Sequence, residues 1–157
     1  MPSRVRAIAR AIAGRLAGAP PPRGPAEAAP DVLDAYGRTA PTPQLAIDIF
    51  KGGWSSRFPA EFAVEAGASA LFEDPGLQHA IVLAGGIEGL RILELGPLEG
   101  AHSYLMEKAG AQSVLAIEAC VLSYLKCLIV KELTGLQRVS FKFGNFVPFL
   151  ETTTERF

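Results

Sequence analysis

The sequence predicts an α/β fold, an incomplete doubly wound parallel sheet of about three strands with flanking helices. Two observations lead to this prediction. Short apolar segments alternate with helical segments over residues 91–149, and this alternation is typical of parallel sheets with right-handed crossovers. The chain is also 49% hydrophobic and 20% charged, a composition that supports a packed core rather than a disordered chain.

Residues 1–18 are predicted to form a basic amphipathic helix. Residues 1–25 contain five arginines and no acidic residue. This composition is compatible with a solvated helix, with a helix that docks on a partner or lies on a membrane surface, and with an organelle transit peptide. Four apolar side chains recur on one helical face: Val5, Ile8, Ile12 and Leu16.

Residues 19–43 are predicted to be a proline-rich linker. Because proline fixes φ and lacks a backbone N–H, such a density of prolines disfavours regular helix and central strand. Residues 44–157 are assigned to the folded domain. The linker prolines are Pro20, Pro21, Pro22, Pro25, Pro30, Pro41 and Pro43.

The first part of the domain, residues 44–90, has a less regular pattern. It predicts a helix over 61–72, a turn around Pro75, and a second helix over 76–83 that ends at a pair of glycines. The loop at Trp54 and Ser55 has two interpretations, a cover over a ligand or an aromatic anchor in the core.

The β-α-β-α-β unit follows. Strands are predicted over 91–95, 113–118 and 139–143, with helices over 102–109 and 121–134 between them. In the second helix Lys126 is expected at a solvated tip, and Cys120 and Cys127 are expected in the core. The two cysteines would lie roughly 10 Å apart along a helix, too far for a disulfide.

One segment of this unit has the features of a ligand-binding loop. Its first strand delivers Glu94, a turn follows at Gly96, and the next helix starts after Gly100. Glycine permits a tight bend and close approach of backbone to a ligand, and a helix N-terminus offers free N–H groups. Ligands of open α/β sheets bind at the carboxyl ends of the strands.

The next two strands end in side chains that suit a nucleoside. Glu118 can accept two hydrogen bonds from a ribose diol, Asn145 can bond an adenine edge, and Phe146 can lie against the ring. Each residue also has a structural explanation, since Glu118 could cap a helix and Gly-Asn is a common turn pair. Their order at successive strand ends favours an adenosine site.

These motifs resemble the class I S-adenosylmethionine-dependent methyltransferases. Glu94, Gly96 and Gly100 match the first motif of that family, while Leu98 stands where many members have a middle glycine. Pro97 lies inside the same loop. In the second and third motifs, Glu118 matches the acidic ribose position and Asn145 stands where an aspartate is common.

The resemblance implies a Rossmann-like fold, S-adenosyl-L-methionine as cofactor, and methyl transfer to a small-molecule acceptor. It implies cofactor binding by Glu94, Gly96, Pro97, Gly100, Glu118, Asn145 and Phe146. It assigns no catalytic residue and no metal ligand. A complete domain of this family continues with further strands, so the chain looks like the N-terminal part of one, truncated before the fourth motif. The open edge of the first strand then predicts self-association or a partner that covers it.

Other functions remain as alternatives. A non-catalytic adenosine-binding module or a truncated remnant would share the same site, whereas an NAD-dependent oxidoreductase is disfavoured because the turn lacks G-x-G. The net charge of −1 argues against nucleic-acid binding. The chain lacks an apolar run long enough for a membrane span, and its two cysteines suggest a reducing compartment, taken as the cytoplasm.

Overall fold

The computed structural model describes residues 36–157. The predicted basic helix over 1–18 and the linker up to residue 35 lie outside this range. Pro41–Phe157 forms one compact unit, and it contains every helix and strand given below. Within the described range, none of the helices combines the length and apolar character needed to cross a bilayer.

A parallel three-stranded sheet forms the centre of this unit. The strands lie in the order β1-β2-β3, and Glu94 pairs with Ala116 while Glu118 pairs with Phe143. This register brings the carboxyl ends of all three strands to the same edge. The observed bounds confirm the predicted ones: β1 is Arg91–Leu95, β2 is Ser113–Glu118 and β3 is Val139–Phe143.

Five α-helices accompany the sheet within residues 36–157. The predicted helices over 76–83, 102–109 and 121–134 are confirmed to within one residue at each end. The first and last helices were not predicted from the sequence. The bounds are Pro43–Asp48 for α1, Pro75–Leu83 for α2, Ala101–Lys108 for α3, Val121–Thr134 for α4 and Phe146–Thr152 for α5.

Helix α1 begins inside the region assigned to the linker. Pro43 occupies its first turn, where the missing N–H costs nothing, and the Thr42 hydroxyl accepts a hydrogen bond from the Leu45 N–H at 3.3 Å. Pro43 therefore belongs to a helix, contrary to the prediction, because the restriction on proline does not apply to the first helical turn.

The predicted helix over 61–72 is wrong. Only two 3-10 turns form there, Ala60–Phe62 and Leu71–Glu73. Between these turns the backbone forms hydrogen bonds to a segment more than ten residues earlier, and not to residues of the next helical turn. Gly67 N–H donates to Ser56 C=O and Ser69 N–H donates to Ser55 C=O, both at 2.9 Å. A Cβ on Gly67 would lie 2.2 Å from the Ser55 oxygen, so this contact requires glycine and replaces helical bonding.

An aromatic cluster joins this irregular segment to the sheet domain. The rings of Trp54 and Phe58 lie 5.6 Å apart, those of Phe58 and Phe72 4.8 Å apart, and those of Phe72 and Tyr104 5.4 Å apart. Burial of these rings gives residues 54–72 a fixed path without a helix.

The two cysteines have different environments. Cys127 is buried in the core as predicted, and burial raises the pKa of its thiol well above the usual range. Cys120 is exposed, so its predicted core position is wrong. It precedes the first residue of α4 and is the helix N-cap, which places it at the surface end of the helix.

Candidate functional site

The loop between β1 and α3 has an unusual backbone. Gly96, Leu98 and Gly100 all have positive φ, of 72°, 58° and 79°. Hydrogen bonds of 2.9 Å hold the loop at both ends, from Gly96 N–H to Ile117 C=O and from Gly100 N–H to the C=O of buried Pro97. Leu98, at the position of the family's middle glycine, thus keeps the left-handed conformation that glycine favours.

Gly100 lets α3 start close to the sheet. A Cβ there would lie 3.0 Å from Phe141 Cζ on β3 and 3.6 Å from Val130 Cγ1 on α4. The residue is buried, so the loop packs tightly over the strands. A larger residue would crowd Phe141 and would be strained at a φ of 79°.

The carboxylate of Glu118 joins the first and second strand ends. Its side chain is only 7% exposed. One oxygen accepts the Leu98 N–H at 3.0 Å, and the other accepts the Cys120 N–H at 2.8 Å. Because an ionised carboxylate has about four lone-pair sites, Glu118 can still accept bonds from a ligand while it holds the loop.

Glu94 places a second carboxylate beside it. The Ser103 hydroxyl, fully buried on α3, donates a short hydrogen bond to Glu94. Burial raises the pKa of Glu94, against the opposing effect of this bond, and the charge of Glu118 raises it further. Among the described residues no lysine or arginine forms an ion pair with Glu94, and only the charge of His102 opposes that of Glu118 in its effect on the pKa. A cationic ligand would therefore favour the charged carboxylate.

The third strand end contributes Asn145 and Phe146. Asn145 caps α5, because its Oδ1 accepts the Val147 N–H at 2.9 Å, which leaves the Nδ2 amide as the group suited to an adenine edge. Phe146 is half-buried. Gly144 N–H donates to Glu118 C=O at 2.9 Å, so this turn is tied directly to the second strand end.

His102 lies in the first turn of α3 and pairs with Asp74. Its Nε2 is 2.8 Å from Asp74 Oδ2. Asp74 also caps α2, and its hydrogen bond from Gly76 N–H, together with the contact to His102, lowers the pKa of its carboxyl. The pair therefore links α2 to α3 at the rim of the loop.

Sequence reasoning missed a buried ion pair between the loop and α4. Glu99 is 1% exposed and Lys126 is 8% exposed, with Glu99 Oε1 and Lys126 Nζ 2.9 Å apart. The predicted solvated position of Lys126 is wrong. A signal was present, because the buried residues of α4 follow a helical repeat that includes this lysine: Ser123, Lys126, Cys127 and Val130.

Hydrogen bonds keep the buried Glu99 ionised. Burial alone would raise the pKa of Glu99, but the Ser55 N–H, the Lys126 ammonium and the Ser56 N–H together hold it below its usual value. The two backbone donors lie at 2.9 and 2.8 Å from the carboxylate.

The chain was compared with protein-family models, curated protein sequences and solved structures. No protein-family model and no curated protein sequence matches the chain. Among solved structures, the N-terminal domain of EvdMO1 with S-adenosylhomocysteine (SAH) bound is 26% identical and has a TM-score of 0.51, over 71% of this chain and 46% of that chain. The same domain in the presence of SAH and D-fucose is 23% identical with a TM-score of 0.51, over 71% and 45%. A candidate O-methyltransferase from Klebsiella pneumoniae is 20% identical with a TM-score of 0.48, over 79% and 52%.

The two matches to the N-terminal domain of EvdMO1 show that the chain has the fold of class I S-adenosylmethionine-dependent methyltransferases. The prediction of an incomplete Rossmann-like sheet is confirmed. The chain spans about half the length of these solved structures.

Proposed function

We propose that this chain provides the S-adenosylmethionine site of a methyltransferase that acts on a small molecule. The observation that supports it is the pair of carboxylates, Glu94 and Glu118, at the ends of adjacent strands with a glycine-bounded loop between them. A ligand with both a cationic group and a ribose diol matches this pair. S-adenosylmethionine has both and lacks the pyrophosphate that a dinucleotide site must hold.

The methionine part of the cofactor lies next to Glu94 in this proposal. The carboxylate attracts the ammonium group and the nearby sulfonium. The N-terminus of α3, just after Gly100, offers free backbone N–H groups to the methionine carboxylate. Gly96 and Pro97 shape the loop so that the backbone can approach the ligand.

The adenosine part extends along the other two strand ends. Glu118 accepts hydrogen bonds from the ribose hydroxyls. Asn145 Nδ2 donates a hydrogen bond to the adenine edge, and Phe146 packs against the base. Because Glu118 already bonds to the Leu98 N–H, ribose binding and loop conformation depend on the same carboxylate.

The chain's own contribution to methyl transfer is binding and orientation. When bound, the cofactor supplies a methyl group on a positively charged sulfur. The strand ends and the loop after β1 would hold that sulfur in a fixed place and direction, and such positioning can provide most of the acceleration of an in-line displacement. No described residue is assigned to the acceptor.

Calorimetric titration with SAH and with NAD tests the proposal. We expect the unchanged chain to bind SAH and not NAD, and Glu118→Ala to weaken SAH binding about 10- to 100-fold, the range for loss of a charged hydrogen-bonding group. Glu151→Ala removes an exposed carboxylate near the end of α5 and should leave the affinity unchanged.

Three outcomes would contradict the assignment in different ways. Binding of neither ligand would favour a remnant, and preference for NAD would favour an oxidoreductase. Equal SAH affinity in Glu118→Ala, with unchanged melting temperature, would remove that residue from the ribose site. Because SAH binding alone is shared by a non-catalytic module, transfer of a labelled methyl group to a small-molecule extract distinguishes the two.

A further inference from the structure

Glu99 belongs to the candidate cofactor loop, yet its side chain serves another segment. It lies between Leu98 and Gly100, both of which shape the loop, but its carboxylate is fully buried. There it accepts hydrogen bonds from the backbone of the 53–56 segment, which is 43 and 44 residues away in the chain. The loop and this segment are thus joined through one side chain.

The 53–56 segment is held at several consecutive points. The Ser55 N–H lies 2.9 Å from Glu99 Oε1, and the Ser56 N–H lies 2.8 Å from Oε2. Lys126 bonds to the same carboxylate at 2.9 Å and also donates to the Gly53 carbonyl. These contacts fix the path of the backbone over four residues.

Trp54 is the anchor of the segment and not a cover over a ligand. Its ring is buried, its Nε1 donates to Ile47 C=O at 2.8 Å, and Lys126 Nζ lies 5.3 Å from the ring centroid. Ser55, in contrast to the buried Trp54, is exposed. Its backbone N–H is nevertheless hydrogen-bonded to Glu99 of the loop.

We infer that Glu99 and Lys126 are positioning residues that hold the 53–56 segment against the loop at residues 96–100, so that Ser55 completes the cofactor site. This inference rests on the proposed function, because it names a further residue of the same site. A hydroxyl held there can donate to or accept from the methionine end of the cofactor. The positioning depends on the ion pair, since a buried carboxylate or ammonium without its partner is strongly disfavoured.

Amide hydrogen exchange measures the positioning directly. In Glu99→Gln we expect exchange at the Ser55 and Ser56 amides to accelerate about tenfold or more, as for loss of a charged acceptor, while the β2 amides stay protected. Because Glu99→Gln leaves Lys126 unpaired and could fail to fold, the double variant Glu99→Gln/Lys126→Met removes both charges. The pair Arg57–Glu73, 3.9 Å apart and exposed, is the matched control, and Arg57→Met/Glu73→Gln should change nothing.

SAH titration then tests whether the segment belongs to the site. We expect the double variant to bind SAH about tenfold more weakly, and Ser55→Ala to bind more weakly with unchanged amide exchange, since its backbone bond to Glu99 remains. Added SAH should slow exchange of the Ser55 and Ser56 amides in the unchanged chain, which a purely structural ion pair would not produce.

The outcomes separate this inference from the proposed function. If the unchanged chain does not bind SAH, the proposed function fails and the inference fails with it. If it binds SAH but Ser55→Ala and the double variant bind equally well, the proposed function stands and the inference is overturned. The same conclusion follows if SAH leaves the exchange of the 53–56 segment unchanged.

Discussion

Leu98 shows how the loop keeps its shape without the middle glycine of the family pattern. A left-handed conformation costs a non-glycine residue roughly 1–2 kcal/mol, and Leu98 has a φ of 58°. Its N–H is bound to the buried Glu118 carboxylate, and hydrogen bonds to charged groups contribute about 1.5–3 kcal/mol. The hydrogen bond from Leu98 N–H to Glu118 therefore offsets the cost of the left-handed conformation. Leucine in place of the motif's glycine adds a side chain, but the loop keeps the backbone conformation that glycine favours.

Glu94 is expected to make the stability of the chain depend on pH. Its pKa is raised above the ordinary value of 4.5, because burial disfavours the charge. Between the unfolded and the folded pKa the folded state therefore holds more protons than the unfolded state, so the free energy of unfolding falls as pH rises. Glu94→Gln lacks this titration and preserves the shape of the side chain.

We therefore expect the free energy of unfolding of Glu94→Gln, relative to the unchanged chain, to rise with pH from about 4.5 and to level off above the folded pKa. Urea titrations at several pH values measure this difference, with the exposed Glu151→Gln as a control that should stay level. At neutral pH the same variant should bind SAH more weakly. A relative stability that is constant or falls with pH would contradict the assignment of a raised pKa.

At the scale of elements, a segment could be predicted from the sequence when the interactions that define it lie within the segment, and could not when they involve residues distant in sequence. The three strand bounds could be predicted because each strand is a short, mostly apolar segment with glycine or polar residues at or next to its ends. Helix α4 could be predicted from its period and from Gly135, which terminates it in the left-handed conformation. These signals lie within the segments themselves.

The segment between α1 and α2 was not predictable in the same way. Residues 61–72 have a helix-like composition, but Gly67 contacts the Ser55 backbone and the aromatic cluster fixes the path. The Glu99–Lys126 pair likewise joins residues 27 apart in sequence. The helical periodicity could have placed Lys126 on the buried face of α4. It could not have identified Glu99 as the partner, because only the tertiary packing brings the two residues together.

Helix α5 gives Asn145 two separable roles. As N-cap its Oδ1 bonds to Val147 N–H, and as a proposed adenine ligand it uses Nδ2. Asn145→Ala should lose both, which costs about 1 kcal/mol of stability and weakens SAH binding. Asn145→Asp keeps a capping oxygen and can accept from the adenine amino group, so it should retain stability and most of the affinity.

Thermal melting and SAH titration of the two variants check this separation. If Asn145→Ala melts lower but binds SAH as well as the unchanged chain, Asn145 is only a helix cap. If both variants bind equally poorly while Asn145→Asp keeps its stability, the adenine contact needs the amide donor specifically.

At the scale of the whole molecule, β1 is an edge strand of the sheet that the described residues form. Within the described part of the chain β1 is hydrogen-bonded to β2 alone, and the ion pair between Arg91 and Glu155, at 3.3 Å, lies only at its first residue. Two of the three inner residues of β1, Ile92 and Leu93, are apolar, and both are half-buried. An unpaired edge of this kind is a template for pairing with another chain.

We therefore expect this chain to self-associate through β1. Sedimentation velocity over a wide concentration range should show a sedimentation coefficient that rises with concentration. Leu95→Lys places a charge at the exposed end of β1, and lysine on an edge strand opposes pairing, so this variant should remain monomeric to higher concentration. Leu83→Lys makes the same chemical change at the exposed end of α2 and should associate like the unchanged chain. A chain that stays monomeric throughout, or equal effects of the two lysines, would show that the edge of β1 does not drive association.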